Sequence, residues 1–315
     1  MAKKTIYLSG ILLTILIGTF LHWKLCCGTC TIANTKTEQK LETEKIIVLD
    51  EKAKVTIITN PIVIKDSTGD FEFKSNENFN FNISGFSILE PISEDLQNGV
   101  EKLKLYLESN PSKFANIIGY YSSNDTNDSA FPNLGIARAN AIKNYLVSKG
   151  IPSKQINTSG DLKNDLIVND TIYVGPFTFN INTVDDTSSN SEVEELKALA
   201  DKIKANPIVL YFSSGQAKIN LSTEQRQQID DLSKYLDKVE DASCLIIGHT
   251  DNTGKKATNI KLGQGRADFT KNYLIQNGIS ADKIKTASEG SNSPIASNKT
   301  KEGRAKNRRT VITIN

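Results

Sequence analysis

The stretch from Leu245 to Asn315 reads LIIGHTDNTGKKATNIKLGQGRADFTKNYLIQNGISADKIKTASEGSNSPIASNKTKEGRAKNRRTVITIN. An apolar run at its start, Cys244 to Gly248, has the length and branching typical of a buried strand. The turn residues HTDNTG follow, and they can place backbone N–H groups and a carboxylate at the end of that strand. Four apolar residues then recur near helical spacing: Leu262, Phe269, Tyr273 and Leu274. The pattern predicts a buried strand, a polar loop and an amphipathic helix.

Two opposite charges stand close to this loop. Asp251 lies in the HTDNTG cluster, and Arg266 lies early on the predicted helix, where it can point back toward the loop. A carboxylate binds an ammonium, and a guanidinium binds a carboxylate through two parallel hydrogen bonds, so the two residues suit a zwitterion such as a free amino-acid end. They could instead pair with each other at the surface, which contributes little. Charge type and spacing leave both interpretations open.

Three blocks of the stretch carry a family resemblance. In this order, GHTDNTG, LGQGRA and NKTKEGRAKNRR resemble the signature blocks of the OmpA-like (OmpA/MotB C-terminal) peptidoglycan-binding domain, over about residues 205–315. The resemblance implies that Asp251 and Arg266 clamp the amino-acid end of diaminopimelate, a residue of the peptidoglycan stem peptide. It also implies supporting ligand contacts at Thr250, Asn252, Asn259, Leu262 and Arg308. It implies no cofactor.

Charge and histidine content exclude several classes of function. The 315 residues hold 38 Lys and Arg against 36 Asp and Glu, and a net charge of +2 gives no case for a nucleic-acid partner. The two histidines are His22 and His249, and neither has the partners of a catalytic triad or a metal site. We therefore predict no catalytic residue, no metal and no enzymatic activity.

Cysteine usage points to neither a disulfide framework nor a metal cluster. Three of the four cysteines crowd at Cys26, Cys27 and Cys30, beside an apolar run and without further ligands. We expect them to be juxtamembrane thiols, and we expect Cys244 to pack in a core strand.

The N-terminal residues predict a membrane anchor. Thr5–Trp23 holds 19 residues without Asp, Glu, Lys or Arg, which as a helix would span roughly 28 Å. Lys3 and Lys4 before it favour a cytoplasmic N-terminus, with everything after Lys24 outside the cytoplasm. A cleaved signal peptide is the alternative, whereas the residues before the first cysteines do not resemble a lipoprotein processing site. We assign residues 1–24 to the anchor and the polar residues 25–45 to a flexible linker.

A second, altered copy of the C-terminal unit precedes it. Residues 133–151 align without gaps to residues 261–279, with ten of nineteen positions identical. Arg138 matches Arg266, but Ser122 takes the place of Asp251, so a zwitterion would lose its ammonium partner. Either Asp125 or Asp128 in the same loop could substitute. We predict a degenerate OmpA-like domain over 46–182, with additional N-terminal strands, that serves as a structural spacer or a protein-binding module.

The expected fold class is α+β. Each unit should follow a β-α-β-α-β-β order, with helices on one face of a mixed sheet. A linker and a helix are predicted over 183–204, with Ser191 as a possible N-cap, and the peptidoglycan-binding domain over 205–315.

Together these features predict a protein that tethers an envelope membrane to peptidoglycan. We expect it in the envelope of a Gram-negative-type bacterium, anchored in the inner membrane with later residues in the periplasm. A stator-like subunit of an ion-driven motor is one alternative, although Thr5–Trp23 has no Asp, Glu, Lys or Arg as the ionisable residue that such a helix needs. A scaffold for other envelope proteins and a peptidoglycan-acting enzyme are the others.

Overall fold

The computed structural model describes residues 58–183, 186–213 and 219–315. The predicted anchor (1–24), the linker (25–45) and the first predicted strands, up to residue 57, lie outside the described residues. Within the described ranges, no helix is both long and apolar enough to cross a bilayer.

The first unit (58–183) combines ten strands and helices around one five-stranded sheet. Its elements are β1 (Ile62–Asp66), β2 (Glu72–Ser75), β3 (Asn80–Asn82), α1 (Glu94–Ser109), β4 (Lys113–Tyr121), α2 (Leu134–Ser148), β5 (Ile156–Leu162), β6 (Val168–Asn169), β7 (Ile172–Val174) and β8 (Phe177–Thr183). The main sheet has the order β2-β1-β8-β4-β5, and a small separate sheet has the order β3-β7-β6.

The second unit (186–315) is built on a four-stranded sheet. Its elements are α3 (Asp186–Ala205), β9 (Ile208–Tyr211), α4 (Thr223–Lys238), β10 (Cys244–His249), α5 (Lys256–Gln276), β11 (Ile284–Gly290), α6 (Lys301–Asn307) and β12 (Arg309–Ile314). The sheet order is β11-β10-β12-β9, with β10 parallel to β11 and antiparallel to β12. This is the predicted β-α-β-α-β-β order, with the short α6 added before the last strand.

The burial patterns of strand β10 and helix α4 show how the sheet and a helix of the second unit share one core. Along β10 the residues alternate between buried and half-buried, and Cys244 and Ile246 are fully buried, as a strand with one covered face requires. Helix α4 begins in a capping box, in which Ser222 and Gln225 satisfy each other's backbone N–H groups. Its residues Ile229 and Leu232 are fully buried in the same core. The expectation that Cys244 packs in the core is confirmed.

The two sheets differ at one edge. The order β1-β8-β4-β5 corresponds to β9-β12-β10-β11, but β1 runs parallel to β8, whereas β9 runs antiparallel to β12. The hairpin of β1 and β2 therefore fills the position of β9 with a strand of reversed direction and adds a further edge strand. The first unit departs from the predicted order through this hairpin and through its small sheet.

One local prediction is wrong. Of the polar run 183–191 that was predicted to be a linker, the residues from Asp186 onward lie within α3. Polar composition alone does not separate a linker from an exposed helical turn, and Ser191 donates to Glu195 inside the helix (3.2 Å).

Helix α5 lies close to β10 at Gly263 but not at Gly265. A Cβ on Gly248 of β10 would lie 1.8 Å from the carbonyl oxygen of Gly263, so α5 contacts the strand backbone to backbone. Gly265 has nothing within 4 Å of the corresponding position. The contact fixes α5 directly above the end of β10, where the loop begins.

Polar contacts join the two units. Buried Lys143 of α2 forms an ion pair with Asp237 of α4, and Ser153 Oγ donates to the carbonyl oxygen of Asp237 (2.8 Å). The amide of Ala130 donates to Asn277 Oδ1 (2.7 Å), and Ala130 packs into the core of the second unit. The units thus share a contact surface as well as a connecting helix.

Candidate functional site

The loop after β10 is held in place by buried polar side chains. Thr250 donates from its amide to the carbonyl oxygen of Gly290 (2.8 Å), which joins the ends of β10 and β11. Thr250 Oγ1 and Asn259 Nδ2 both donate to the carbonyl oxygen of Asp251, over 2.8 and 3.3 Å. Thr250 and Asn259 are nearly fully buried. They fix the backbone at Asp251 before any ligand is present.

The carboxylate of Asp251 is held by two donors. Arg308 Nη1 lies 2.9 Å from Oδ2, and the amide of Thr253 lies 2.9 Å from Oδ1. Burial by itself would raise the pKa of Asp251, but the hydrogen bonds from Arg308 and Thr253 outweigh it and hold this pKa below its usual range. Asp251 is therefore an anion, and its side chain is 14% exposed.

Arg266 reaches the same strand end from α5. Its Nη1 donates to the carbonyl oxygen of His249 (2.8 Å), and its guanidinium lies 5.8 Å from the centre of the Phe212 ring. Burial, together with the charge of Arg308, lowers the pKa of Arg266, but a guanidinium remains charged at any physiological pH. Among the described residues, its Nε and Nη2 have no acceptor, so one edge of the fork is available.

Asp251 and Arg266 do not pair with each other in the part of the chain that the structure describes, where Asp251 pairs with Arg308 instead. The alternative of a simple surface ion pair is therefore wrong. An anion and a cation flank one strand end, and each keeps hydrogen-bonding capacity that no described residue uses. The arrangement can bind a molecule that presents an ammonium and a carboxylate together.

A network of asparagines supports this arrangement. The amide of Asn252 donates to Asn298 Oδ1 (3.2 Å), which also accepts from Asn307 Nδ2 (2.9 Å). Asn307 is fully buried and receives the amides of Ile295 and Ala296 on its Oδ1. Sequence reasoning did not assign roles to Asn298 and Asn307, although both lie in the NKTKEGRAKNRR block.

Two further predicted contact residues lie at the rim, whereas Arg308 lies inside the site beside Asp251. Asn252 is exposed, and Leu262 is 52% exposed, so Leu262 does not belong to the buried face of α5 as its spacing predicted. Arg308 follows α6 and donates from Nε to the carbonyl oxygen of Phe212 (3.3 Å). Phe212 was not predicted, because the apolar run that contains it has no motif.

His249 is buried beneath the site and has no catalytic or metal partners in the described ranges. Its Nδ1 lies 3.8 Å from Glu289 and has no hydrogen-bond partner there. Burial and the nearby charge of Arg309 lower the pKa of His249, so it is neutral at pH 7. Within the same ranges, no three His, Cys, Asp or Glu residues group together as metal ligands would.

The first unit has a closed counterpart of this site. Arg138 Nη1 donates to the carbonyl oxygen of Tyr120 (2.7 Å), as Arg266 does to His249. Arg138 also pairs with Asp125, over 3.1 Å, and both side chains are excluded from solvent. Of the two acids considered as substitutes for the missing carboxylate, Asp125 is the one that pairs with Arg138.

Comparison with known proteins agrees with both units. The OmpA family model matches residues 80–174 and 211–308. Outer membrane protein A of Bordetella avium is 41% identical over 97 residues, which cover 31% of this chain and 50% of that protein. Peptidoglycan-binding protein ArfA of Mycobacterium tuberculosis is 47% identical over 87 residues, 27% of each chain. The chain thus spans half or less of the length of these relatives.

Among solved structures, the C-terminal domain of Helicobacter pylori MotB is similar with a TM-score of 0.30 and 27% identity. The match covers 35% of this chain and 84% of that domain.

Proposed function

The chain belongs to the OmpA family, and we propose that it binds peptidoglycan through the free amino-acid end of diaminopimelate in the stem peptide. Asp251 would accept hydrogen bonds from the ammonium, and Arg266 would donate to the carboxylate. The name of the ArfA relative, a peptidoglycan-binding protein, supports this class of ligand.

The orientation of Arg266 is the main support for this proposal. Because Nη1 is fixed on the carbonyl oxygen of His249, the guanidinium presents its Nε and Nη2 edge away from the strand. This edge is one of the two that bind a carboxylate through parallel hydrogen bonds. On the other side of the strand end, Asp251 is kept ionised by Arg308, and each of its oxygens can accept a further hydrogen bond.

The other predicted contacts have defined roles in this proposal. Thr250 and Asn259 hold the backbone of Asp251, while Asn252 and Leu262 lie at the rim, where the rest of the stem peptide would pass. The ligand needs neither a cofactor nor a metal, and the proposal includes no reaction.

The wider role that we propose is a tether between a membrane and the wall. It rests on the uncharged run Thr5–Trp23 as an anchor and on the site as the wall contact. The protein would then lie in the cell envelope, with the site in the periplasm. Further envelope proteins would bind through the first unit.

A binding experiment tests the proposed ligand. The full chain, kept in detergent, is mixed with purified sacculi that contain diaminopimelate. The sacculi are sedimented, and the protein that sediments with them is quantified. Asp251→Ala and Arg266→Ala are measured in the same way. We expect the wild type to be retained, both variants to remain in solution, and free diaminopimelate to compete. Equal retention of all three proteins, or no effect of free diaminopimelate, would show that the clamp is wrong. An exposed substitution on the same helix, Lys261→Ala, is the control and should bind like the wild type.

A further inference from the structure

A short segment of the first unit occupies its closed site. Ser84 and Gly85 follow β3, which belongs to the small sheet that the second unit does not have among its described residues. The amide of Ser84 donates to Asp125 Oδ1 (2.9 Å). The carbonyl oxygen of Gly85 accepts from Arg138 Nε (2.9 Å). The segment therefore contacts the anion and the cation of the site at once.

The polarity of these contacts matches that of an amino acid. A free amino-acid end presents a positively charged N–H donor and, one carbon away, an oxygen acceptor. The segment presents the backbone N–H of Ser84 to the carboxylate of Asp125 and the backbone oxygen of the next residue, Gly85, to the guanidinium of Arg138. The two arginines are anchored alike, since each donates from Nη1 to the carbonyl oxygen of the residue that follows a strand glycine, Gly119 or Gly248. The Nε edge that is available on Arg266 is therefore the edge that Gly85 occupies on Arg138.

One buried atom of this site remains unsatisfied. Arg138 is 0% exposed, and its Nη2 has no hydrogen-bond partner among the described residues. Nε and Nη2 form one edge of the guanidinium, and a carboxylate with two oxygens can satisfy both. The single carbonyl oxygen of Gly85 satisfies only Nε, although the guanidinium also stacks on the Tyr173 ring at 4.9 Å. A buried N–H without an acceptor is costly, so the site is better suited to a carboxylate than to the segment that fills it.

From these contacts we infer that the first unit retains a latent binding site for a free amino-acid end and that Ser84–Gly85 blocks it as a built-in pseudo-ligand. The site is then closed in the resting chain, which binds one ligand through the second unit. Displacement of the segment opens a second site around Asp125 and Arg138. The choice of diaminopimelate as a probe rests on the proposed function, while the blocked site itself rests on the contacts of the first unit.

Ser84 offers a direct way to open the site. Its backbone has φ +57°, in the left-handed region, and its amide makes the contact to Asp125. Proline fixes φ near −65° and has no N–H, so Ser84→Pro removes both features. Ser84→Gly is the matched control, because glycine adopts positive φ readily and keeps the N–H.

The experiment measures binding of free meso-diaminopimelate to the full chain by calorimetry, with Asp251→Ala present throughout to silence the second unit. We expect no binding by Asp251→Ala alone or with Ser84→Gly, and one site per chain when Ser84→Pro is added. Only chains whose first site is open can bind, so the apparent affinity scales with the open fraction. Ser84→Pro should therefore raise the apparent affinity of the first site by roughly tenfold or more. A derivative acetylated on nitrogen and amidated at the carboxyl groups should not bind.

Failure of this inference is distinguishable from failure of the proposed function. Binding by the Ser84→Pro chain but not by the wild type would support the latent site and contradict the role of Asp251 and Arg266. A Ser84→Pro chain that unfolds cooperatively but does not bind overturns the inference. If the proline variant does not fold, Ser84→Val replaces it, since a β-branched residue is strongly disfavoured at positive φ, and absence of binding by that folded variant overturns the inference equally.

Discussion

Arg308 Nη1 lies 2.9 Å from Asp251 Oδ2, so the carboxylate that we assign to the ligand's ammonium is already held by a guanidinium. The two side chains are only 16% and 14% exposed, which protects this pair from solvent. Arg308 is therefore a positioning residue that keeps Asp251 ionised and oriented. The network of Asn298 and Asn307 holds the neighbouring backbone in the same way.

The Arg308 contact predicts how wall binding responds to acid. The pKa of Asp251 is below its usual range, so the carboxylate stays charged, and we expect wild-type binding to persist from pH 7 to about pH 4.5. Arg308→Ala removes one of the two groups that lower the pKa of Asp251, so this pKa rises and binding is lost at a higher pH. Sedimentation with sacculi across this pH range measures both curves. Coincident curves for the two proteins would contradict the role of Arg308.

The same pair contributes to stability in a defined pH window. A carboxyl with a depressed pKa in the folded state stabilises the fold above its unfolded pKa, and this contribution disappears as the pH falls through the folded value. We expect Arg308→Ala to reduce the free energy of unfolding by about 1 kcal/mol at pH 7 and by less at pH 3. Denaturant titrations at the two pH values provide the measurement.

Arg266→Lys tests whether the fork, rather than the charge, binds the ligand. Lysine keeps the positive charge but has neither the planar edge nor the fixed Nη1 contact to His249. We expect affinity for diaminopimelate to fall by roughly tenfold to a hundredfold, which corresponds to one charge-assisted hydrogen bond of about 1.5–3 kcal/mol. The affinities of Arg266→Lys and of the control Lys261→Ala are measured by calorimetry. An unchanged affinity of Arg266→Lys would show that charge alone is sufficient.

Substitution of Gly248 and of Gly265 by alanine should have opposite effects on stability. A methyl group on Gly248 would overlap the carbonyl oxygen of Gly263, so Gly248→Ala should displace α5 and cost about 3 kcal/mol or more. Gly265 has open space, so Gly265→Ala should stabilise the helix by about 0.5–1 kcal/mol. Thermal unfolding measures the stability of both variants, and wall binding should be lost only in Gly248→Ala. Similar behaviour of the two variants would contradict the close contact of α5 with β10.

Strand β10 and the loop after it in the second unit could be predicted from sequence because their signals are local. Strand β10 and the loop containing Asp251 follow from residue patterns within one continuous stretch, and Arg266 follows at a fixed distance on the next helix. The Arg308 contact could not be predicted from patterns, since 57 residues separate it from Asp251 and its direction depends on the end of α6. The start of α3 was missed because its first turns have the polar composition of a linker.

The closed site of the first unit could be predicted only in part. Repeat alignment identified Arg138 and showed that a carboxylate was missing at Ser122, and Asp125 was one of two candidates to replace it. Nothing in the sequence relates Ser84 or Gly85 to these residues, because the contacts span 41 and 53 residues and involve backbone atoms. Backbone atoms leave no signature in residue types.

The ion pair between Lys143 and Asp237 predicts an asymmetric coupling of the two units. Lys143 is buried, whereas the side chain of Asp237 is 24% exposed. Asp237→Ala leaves an ammonium buried without a partner and should lower the free energy of unfolding by about 3 kcal/mol, the low end for a broken buried pair. Lys143→Met keeps the apolar stem and leaves a carboxylate that water can reach, so it should cost about 1 kcal/mol.

The double variant should be more stable than Asp237→Ala alone, because it no longer buries the unpaired charge. Denaturant unfolding of the three full-length variants measures this coupling, and an Asp237→Ala cost no greater than that of Lys143→Met would show that the pair does not join the units.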